Sequence, residues 1–180
     1  MTEGKQCHIA SPPNPVAEAL GIGPGLVVSI IEALRDRAET VATAESLTAG
    51  LVCATLTGVP GSSAVVRGGL IVYATELKAA LAGVDPRALR THGAVHPLIA
   101  EELAAGARQR CLATWGLGLT GVAGPDPQDG VGPGTIHIGL AGPDGVTVRT
   151  LRAKGDRHAV RSAAVRGALE LLQARLRRTA

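Results

Sequence analysis

The chain has 180 residues, about the length of one domain, since domains cluster near ~100 to 150 residues. Its net charge is +3, and its three cysteines are widely spaced, so neither a disulfide framework nor a zinc cluster is indicated. No apolar run approaches the ~20 residues that span a bilayer, and no leader pattern opens the chain. With one Trp, one Tyr and no Phe, it lacks the aromatic residues on which single-stranded nucleic acid stacks. We therefore expect a cytoplasmic protein that binds neither membrane nor nucleic acid.

The first 25 residues are rich in Pro and Gly, which do not sustain a packed element. They predict a flexible N-terminal arm over residues 1–25. From Leu26 onward the apolar residues fall at helical spacing, so a helix running to about Arg37 should bury one face. The domain proper is expected over residues 26–178.

The rest of the chain alternates strand and helix patterns. Residues 40–45 suit a short strand and residues 47–56 a helix, which leaves Ser46 at the turn between them. A strand is predicted over residues 65–73, with a bulge at Gly68 and Gly69. Further helices are predicted over residues 75–82, 86–91, 97–111 and 157–177, and further strands over residues 115–120, 135–141 and 146–153.

A loop rich in Gly and Pro is predicted over residues 121–134, and long loops of this kind often carry function. A strong hairpin signal over residues 142–145 joins the last two strands. Strands mixed with helices and followed by a hairpin predict an α/β fold, a three-layer α/β/α sandwich with a mixed β-sheet.

Ser46 is the first candidate for chemistry, because it lies where a strand turns into a helix. Backbone N–H groups at a helix start can stabilise the oxyanion that forms when a serine attacks a carbonyl. A serine in this position is more commonly only a helix N-cap, and that alternative stays open on the residues alone.

Lys78 is the candidate base for such a serine. The five His residues show no partnership in the sequence, although a histidine triad stays possible. A lysine also activates a nucleophile when burial lowers its pKa toward neutrality. The chain has 15 Arg but only three Lys, and a lysine that must lose its proton cannot be exchanged for Arg. The alternative is a solvated helix residue.

Six short motifs occur in the order expected of one family: residues 43–50 (TAESLTAG), 60–63 (PGSS), 68–73 (GGLIVY) with Lys78, 92–95 (HGAV), 120–125 (TGVAGP) and 155–157 (GDR). On these motifs the chain closely resembles the CinA C-terminal domain family, whose enzymatic members are nicotinamide-nucleotide amidohydrolases. The resemblance covers about residues 28–176. Longer members carry a molybdopterin-binding-like domain before this one, so we expect a stand-alone form.

The resemblance implies hydrolysis of the carboxamide of nicotinamide mononucleotide to nicotinate mononucleotide and ammonia, a step of pyridine nucleotide recycling. It implies Ser46 as nucleophile, Lys78 as base and Tyr73 as a third catalytic residue that orients the pair or lines the pocket, with no metal and no cofactor. A half-buried strand residue is the alternative for Tyr73. The resemblance also implies a homo-oligomer. The alternative function is a non-catalytic nucleotide-binding or competence-related regulatory module.

Five further residues are expected to bind substrate in a protein similar to this family. The backbone amides of Thr48 and Gly50 follow Ser46 and could contact an amide oxygen or a phosphate. Thr120 and Gly121 begin the Gly-rich loop that approaches the substrate in similar enzymes. Arg157 opens the last helix, where a guanidinium and a helix N-terminus suit a phosphate, although a surface arginine is the alternative.

The sequence also departs from the family pattern. It has Leu47 and Ala49 where members commonly have Cys and Gly, and residues 126–128 replace a run of glycines. Asp126 and Asp129 add negative charge to a loop that is expected near a phosphate. Substrate choice is the property that these departures should affect.

Overall fold

The computed structural model describes residues 13–178, and the helices and strands of this part run as the sequence patterns predict in number and order for residues 26–178. In chain order they are α1 (Pro15–Ala19), α2 (Pro24–Asp36), β1 (Val41–Glu45), α3 (Leu51–Thr57), a 3-10 turn (Ser62–Ala64), β2 (Val66–Ile71), α4 (Thr75–Ala80), α5 (Pro86–His92), α6 (Pro97–Arg110), β3 (Trp115–Gly121), β4 (Thr135–Gly142), β5 (Gly145–Arg152) and α7 (Arg157–Arg178).

The strands form one five-stranded sheet in the order β2-β1-β3-β4-β5. The strands β2, β1 and β3 are parallel, whereas β4 and β5 pair antiparallel, so the sheet is mixed. Helices α1, α2, α3 and α7 pack in one apolar cluster, and α4, α5 and α6 pack in a second. Neighbouring residues of β1 belong to different clusters, Val41 to the first and Ala42 to the second, so the sheet lies between two helical layers. The predicted three-layer α/β/α sandwich is confirmed.

Helix α6 lies unusually close to the sheet because glycines face it. A Cβ atom on Gly116 would stand 2.1 Å from the carbonyl oxygen of Ala104, and one on Gly118 would stand 2.3 Å from the Ala104 nitrogen. A Cβ on Gly139 of the next strand would stand 2.1 Å from the carbonyl oxygen of Ala100. Main chain therefore packs on main chain, which explains how a core with almost no aromatic residues can be dense.

The bulge predicted in β2 is present. Val41 of β1 pairs with Val66 and the next residue, Ala42, pairs with Gly68, so Arg67 is the extra residue. Gly68 has φ 145°, a conformation that glycine adopts readily. The bulge shifts the register ahead of the strand end that leads to Tyr73.

The prediction of a flexible arm over residues 1–25 is wrong for its last part, and residues 1–12 lie outside the described residues. Asn14 caps α1 by accepting the N–H of Ala17 at 3.1 Å and donates its side-chain amide to the Thr55 carbonyl at 2.9 Å. Leu20 and Ile22 are buried in the larger cluster. Pro15 and Pro24, two of the prolines that suggested disorder, stand in the first turns of α1 and α2, where a missing N–H costs nothing.

Candidate active site

A cavity of about 470 Å³ opens at the carboxyl ends of β1 and β3. This edge of a mixed α/β sheet is a common place for a ligand, because loops there diverge from rigid strands. Residues from four separate segments line it, among them Ser46, Tyr73, Gly121, Asp126, Gln128 and Arg157. The fold thus brings together four of the residues predicted from sequence: the serine, the tyrosine, the loop glycine and the arginine of α7.

Ser46 follows directly after β1 and is 8% exposed, with its accessible surface in the cavity wall. Its N–H donates to the carbonyl oxygen of Leu119 at 3.1 Å, which extends the pairing of β1 with β3 by one residue. Its hydroxyl makes no hydrogen bond to any other residue between 13 and 178. The side chain is therefore not a helix N-cap, and its oxygen is free to meet a ligand. Helix α3 begins only at Leu51, later than the predicted start at Leu47, because a turn intervenes.

The Glu45 side chain bonds to the backbone of that turn, a contact that the sequence patterns did not predict. Its carboxylate is fully buried and accepts the N–H groups of Gly50 at 3.0 Å, Val52 at 3.1 Å and Cys53 at 2.9 Å. It also accepts the hydroxyl of Thr43 at 2.9 Å. A buried carboxylate with this many donors is stabilised in place and satisfies the free amides of the first turn of α3.

Arg161 of α7 holds the same turn from the other side. Its guanidinium donates to the carbonyl oxygens of Leu47 and Thr48, each at 3.0 Å. Between these two supports, Ala49 and Gly50 adopt positive φ angles of 50° and 95°. The spacing could have indicated this residue, since Arg161 follows Arg157 by four positions and shares its helix face.

Lys78 lies in α4 and is 1% exposed, so the alternative of a solvated lysine is excluded. Its amine donates to the carbonyl oxygens of Val72 at 3.0 Å and Tyr73 at 3.3 Å. Burial lowers the pKa of Lys78 from 10.5 to about 8, while the nearby carboxylates of Glu76 and Asp129 raise it in part. A substantial fraction of the lysine is therefore neutral near physiological pH.

Ser46 and Lys78 are not hydrogen-bonded to each other, and the sheet connects them through Val72. Glu45 pairs with Ile71, and the N–H of Val72 donates to the Glu45 carbonyl at 2.9 Å, so the residues that follow the two strands lie side by side. The Lys78 amine donates to the Val72 carbonyl, and Lys78 itself does not line the cavity.

Tyr73 and Arg157 meet at the rim of the cavity. The Arg157 guanidinium donates to the Tyr73 hydroxyl at 2.8 Å and to the Gly124 carbonyl at 3.0 Å. Tyr73 lies beyond β2, which ends at Ile71, and is 56% exposed, so it is not the half-buried strand residue of the alternative. Its hydroxyl contacts Arg157 rather than Ser46 or Lys78, and the tyrosine borders the ligand space instead of bridging the nucleophile and the base.

Three of the predicted substrate-binding residues lie outside the cavity. The prediction that the Gly50 amide contacts substrate is wrong, because this N–H donates to the Glu45 carboxylate. The prediction that Thr120 binds substrate is wrong as well, since its hydroxyl is buried and donates to the Ala94 carbonyl at 2.6 Å. Thr48 is fully buried, and its hydroxyl oxygen has no hydrogen-bond partner among the residues described. The backbone N–H of Thr48 also has no partner within residues 13–178.

The loop over residues 121–134 is fastened to the turn that follows α5. The Asp129 carboxylate accepts the N–H of Ala94 at 3.1 Å, and the carbonyl of the same Ala94 accepts the Thr120 hydroxyl. Asp129 therefore anchors the loop, whereas Asp126 lines the cavity. The two aspartates that depart from the family pattern have different surroundings.

Neither a metal cluster nor a membrane span is found in the described range. No group of three or more His, Cys, Asp or Glu within residues 13–178 could hold a metal ion. No helix in that same stretch combines the length and apolarity that crossing a bilayer requires.

Comparison with known proteins agrees with the fold. A CinA-like protein of Frankia casuarinae is 51% identical over 144 residues, which are 80% of this chain and 33% of that protein. A CinA-like protein of an Anaeromyxobacter species is 47% identical over 157 residues, 86% of this chain and 37% of the relative. The chain thus spans about a third of the length of these curated relatives.

Solved structures match over nearly their whole length. The competence/damage inducible protein CihA from Agrobacterium tumefaciens has a TM-score of 0.80 at 34% identity, covering 91% of this chain and 96% of its own. A CinA superfamily protein from Klebsiella pneumoniae has a TM-score of 0.82 at 28% identity, covering 86% and 97%. The CinA C-terminal domain matches residues 25–176. The chain therefore belongs to the CinA C-terminal domain family.

Proposed function

We propose that the chain is an amidohydrolase that converts nicotinamide mononucleotide to nicotinate mononucleotide and ammonia, with Ser46 as nucleophile and Lys78 as base. The observation that carries the proposal is a serine hydroxyl on a cavity wall, without a hydrogen bond in the described structure, together with a buried lysine of pKa about 8 that donates to the carbonyl of Val72, the residue beside Ser46 at the end of the sheet. A general base works best when its pKa lies near the operating pH.

The reaction needs no redox change. Ser46 Oγ bonds to the carboxamide carbon while its proton passes to the neutral amine of Lys78. The carbon–nitrogen bond then breaks, and the proton on Lys78 goes to the leaving nitrogen, so ammonia departs and an ester remains on Ser46. Water attacks the ester while Lys78 takes one of its protons, which returns to Ser46 as the ester bond breaks. The new carboxylic acid loses its proton to solvent.

The hydrogen bonds of Lys78 suit this role. A neutral amine has two N–H groups and one lone pair, and the carbonyls of Val72 and Tyr73 can take both N–H groups. The lone pair is then left as an acceptor for the Ser46 proton. Contacts between nucleophile and base are often long without substrate and tighten when it binds, so the lack of a direct bond is compatible with the mechanism.

The oxyanion of the tetrahedral intermediate requires N–H donors beside Ser46. The backbone N–H groups of Leu47 and Thr48 have no partner within the described range. Arg161 holds the peptide that carries the Thr48 N–H through its bond to the Leu47 carbonyl, and the Ala49 N–H holds the peptide that carries the Leu47 N–H through its bond to the Ser46 carbonyl. Donors fixed before the reaction stabilise developing charge without reorganisation, and loss of one such donor typically costs about 100- to 1000-fold in rate.

Arg157 supports the choice of a phosphorylated substrate. It stands at the cavity rim as the first residue of α7, where its guanidinium favours an anion. We expect Arg157→Ala to raise KM for the mononucleotide far more than for nicotinamide riboside, which lacks the phosphate. Equal effects on both substrates would remove Arg157 from this role.

The deciding experiment is to incubate the purified chain with nicotinamide mononucleotide and quantify ammonia and nicotinate mononucleotide, with and without EDTA. Ser46→Ala is the control for contaminating activity. We expect release that EDTA does not abolish and that Ser46→Ala removes. Binding of the mononucleotide without ammonia release would instead favour a non-catalytic nucleotide-binding module.

A further inference from the structure

The cavity is lined by two charged side chains of opposite sign that do not pair with each other. They are Asp126 and Arg157, and the other lining residues are uncharged. The Arg157 guanidinium is bonded to the Tyr73 hydroxyl and the Gly124 carbonyl. No hydrogen bond or ion pair involves Asp126 in the part of the chain that the structure describes. Neither charge is therefore neutralised by an ion pair among the described residues, and both can act on a ligand.

A carboxylate in this place works against a purely anionic ligand. Asp126 has no charged or hydrogen-bonding partner among the described residues, and it lines the same cavity in which a phosphate would approach Arg157. Repulsion between the Asp126 carboxylate and a phosphate in the same cavity reduces affinity unless the ligand also carries a positive charge. The pair of residues thus favours a ligand with charges of both signs.

We propose that Asp126 is a specificity-determining residue that recognises a positively charged heteroaromatic ring, while Arg157 takes the anionic group of the same molecule. This inference rests on the proposed function, because the ring nitrogen of nicotinamide mononucleotide is quaternary and carries a positive charge. The dihydro form of that nucleotide has nearly the same shape and phosphate but an uncharged ring. The ligand class is therefore a dipolar pyridinium nucleotide, selected against its reduced form.

The expected preference is modest because Asp126 is exposed. Exposed ion pairs change an equilibrium constant by about two- to five-fold. Salt should reduce the preference, since exposed charges are screened by mobile ions. A buried hydrogen bond to the ring would show neither the small size nor the salt dependence.

The test measures binding by calorimetry in the Ser46→Ala chain, so that no turnover occurs. Nicotinamide mononucleotide and its dihydro form are titrated at low and at high salt, with and without Asp126→Asn. We expect Asp126→Asn to weaken binding of the charged-ring nucleotide about two- to five-fold at low salt and not to weaken binding of the dihydro form, whose phosphate Asp126 only repels. Asp126→Glu should retain most of the preference. Asp36→Asn removes the same charge at the far end of α2 and is the matched control.

Two outcomes would overturn the inference. Equal weakening of both nucleotides would mean that Asp126 acts only through the loop conformation, and tighter binding of the charged-ring form would mean that it merely repels the phosphate. If the wild-type chain releases no ammonia but the charge preference is found, the proposed reaction fails and the recognition stands. If neither nucleotide binds, both proposals fail.

Discussion

The Nε atom of Arg161 donates to the carbonyl oxygen of Leu47 at 3.0 Å. This hydrogen bond connects helix α7 to the turn that follows Ser46. In a trans peptide the C=O and the next N–H point in opposite directions, so this contact directs the Thr48 N–H away from the guanidinium. One side chain on a distant helix therefore sets the direction of an amide beside Ser46.

Removing that side chain should reduce the rate more than the affinity. We expect Arg161→Ala to lower kcat about 10- to 100-fold with little change in KM, because a misdirected amide stabilises the transition state less. Arg166→Ala is the control, since Arg166 lies on the same helix and donates to the Gly21 carbonyl far from the site. A raised KM with an unchanged kcat would indicate that Arg161 binds substrate instead.

Lys78→Arg should inactivate the chain although it keeps the positive charge. A base must be neutral for part of the time, and an arginine stays protonated throughout the pH range in which the protein works, even when it is buried. We expect kcat to fall by about 100- to 10,000-fold, the usual contribution of a general base. The measurement is kcat for Lys78→Arg beside Lys78→Ala, with folding checked by circular dichroism. Lys154→Arg, at an exposed lysine, is the matched control. Substantial activity in Lys78→Arg alone would mean that the lysine supplies only charge.

The activity should rise with pH through a single step near 8. The active form of Lys78 is the neutral one, and its pKa of about 8 means that about a tenth is neutral at pH 7. The quantity to measure is kcat/KM between pH 6 and about 9.5, since it reports the free protein. Glu76→Gln removes a carboxylate that raises this pKa, so its profile should shift toward lower pH. A profile that is flat, or a shift toward higher pH in Glu76→Gln, would contradict Lys78 as the titrating base.

The segment before the predicted domain should contribute to stability. Leu20 is 6% exposed and packs in the larger cluster, so we expect Leu20→Ala to lower the free energy of unfolding by about 2 to 5 kcal/mol. Glu18→Ala, at an exposed position of the same helix, should change it by less than about 0.5 kcal/mol. Urea unfolding of both variants gives the comparison. A Leu20→Ala chain as stable as the wild type would show that α1 does not stabilise the domain.

The sequence was most informative where local pattern and residue chemistry coincide. The serine at a strand end and the scarcity of lysine were readable because each depends on few neighbours. The misassigned residues depend on contacts between distant segments. The Gly50 amide is taken by Glu45 only because the chain turns back on itself after β1, and the Thr120 hydroxyl is taken by Ala94 from another loop. Composition alone also failed to predict α1. A proline at the start of a helix and a proline in a disordered segment contribute equally to composition.

The contact of α6 with Gly116, Gly118 and Gly139 has a mechanical consequence. At these three glycines backbone meets backbone, with no side chain between them whose rotamer could change, so the helix and the strands that it covers should move together as a rigid unit on the microsecond timescale. Ser46 and Gly121 stand at the ends of two strands of that unit, and their separation should be constant whether the cavity is full or empty. Conformational change at the cavity would then be confined to the loop over residues 121–134 and to the Arg157 contact at the rim. Deuterium should enter the amides of β3 last and those of the loop first.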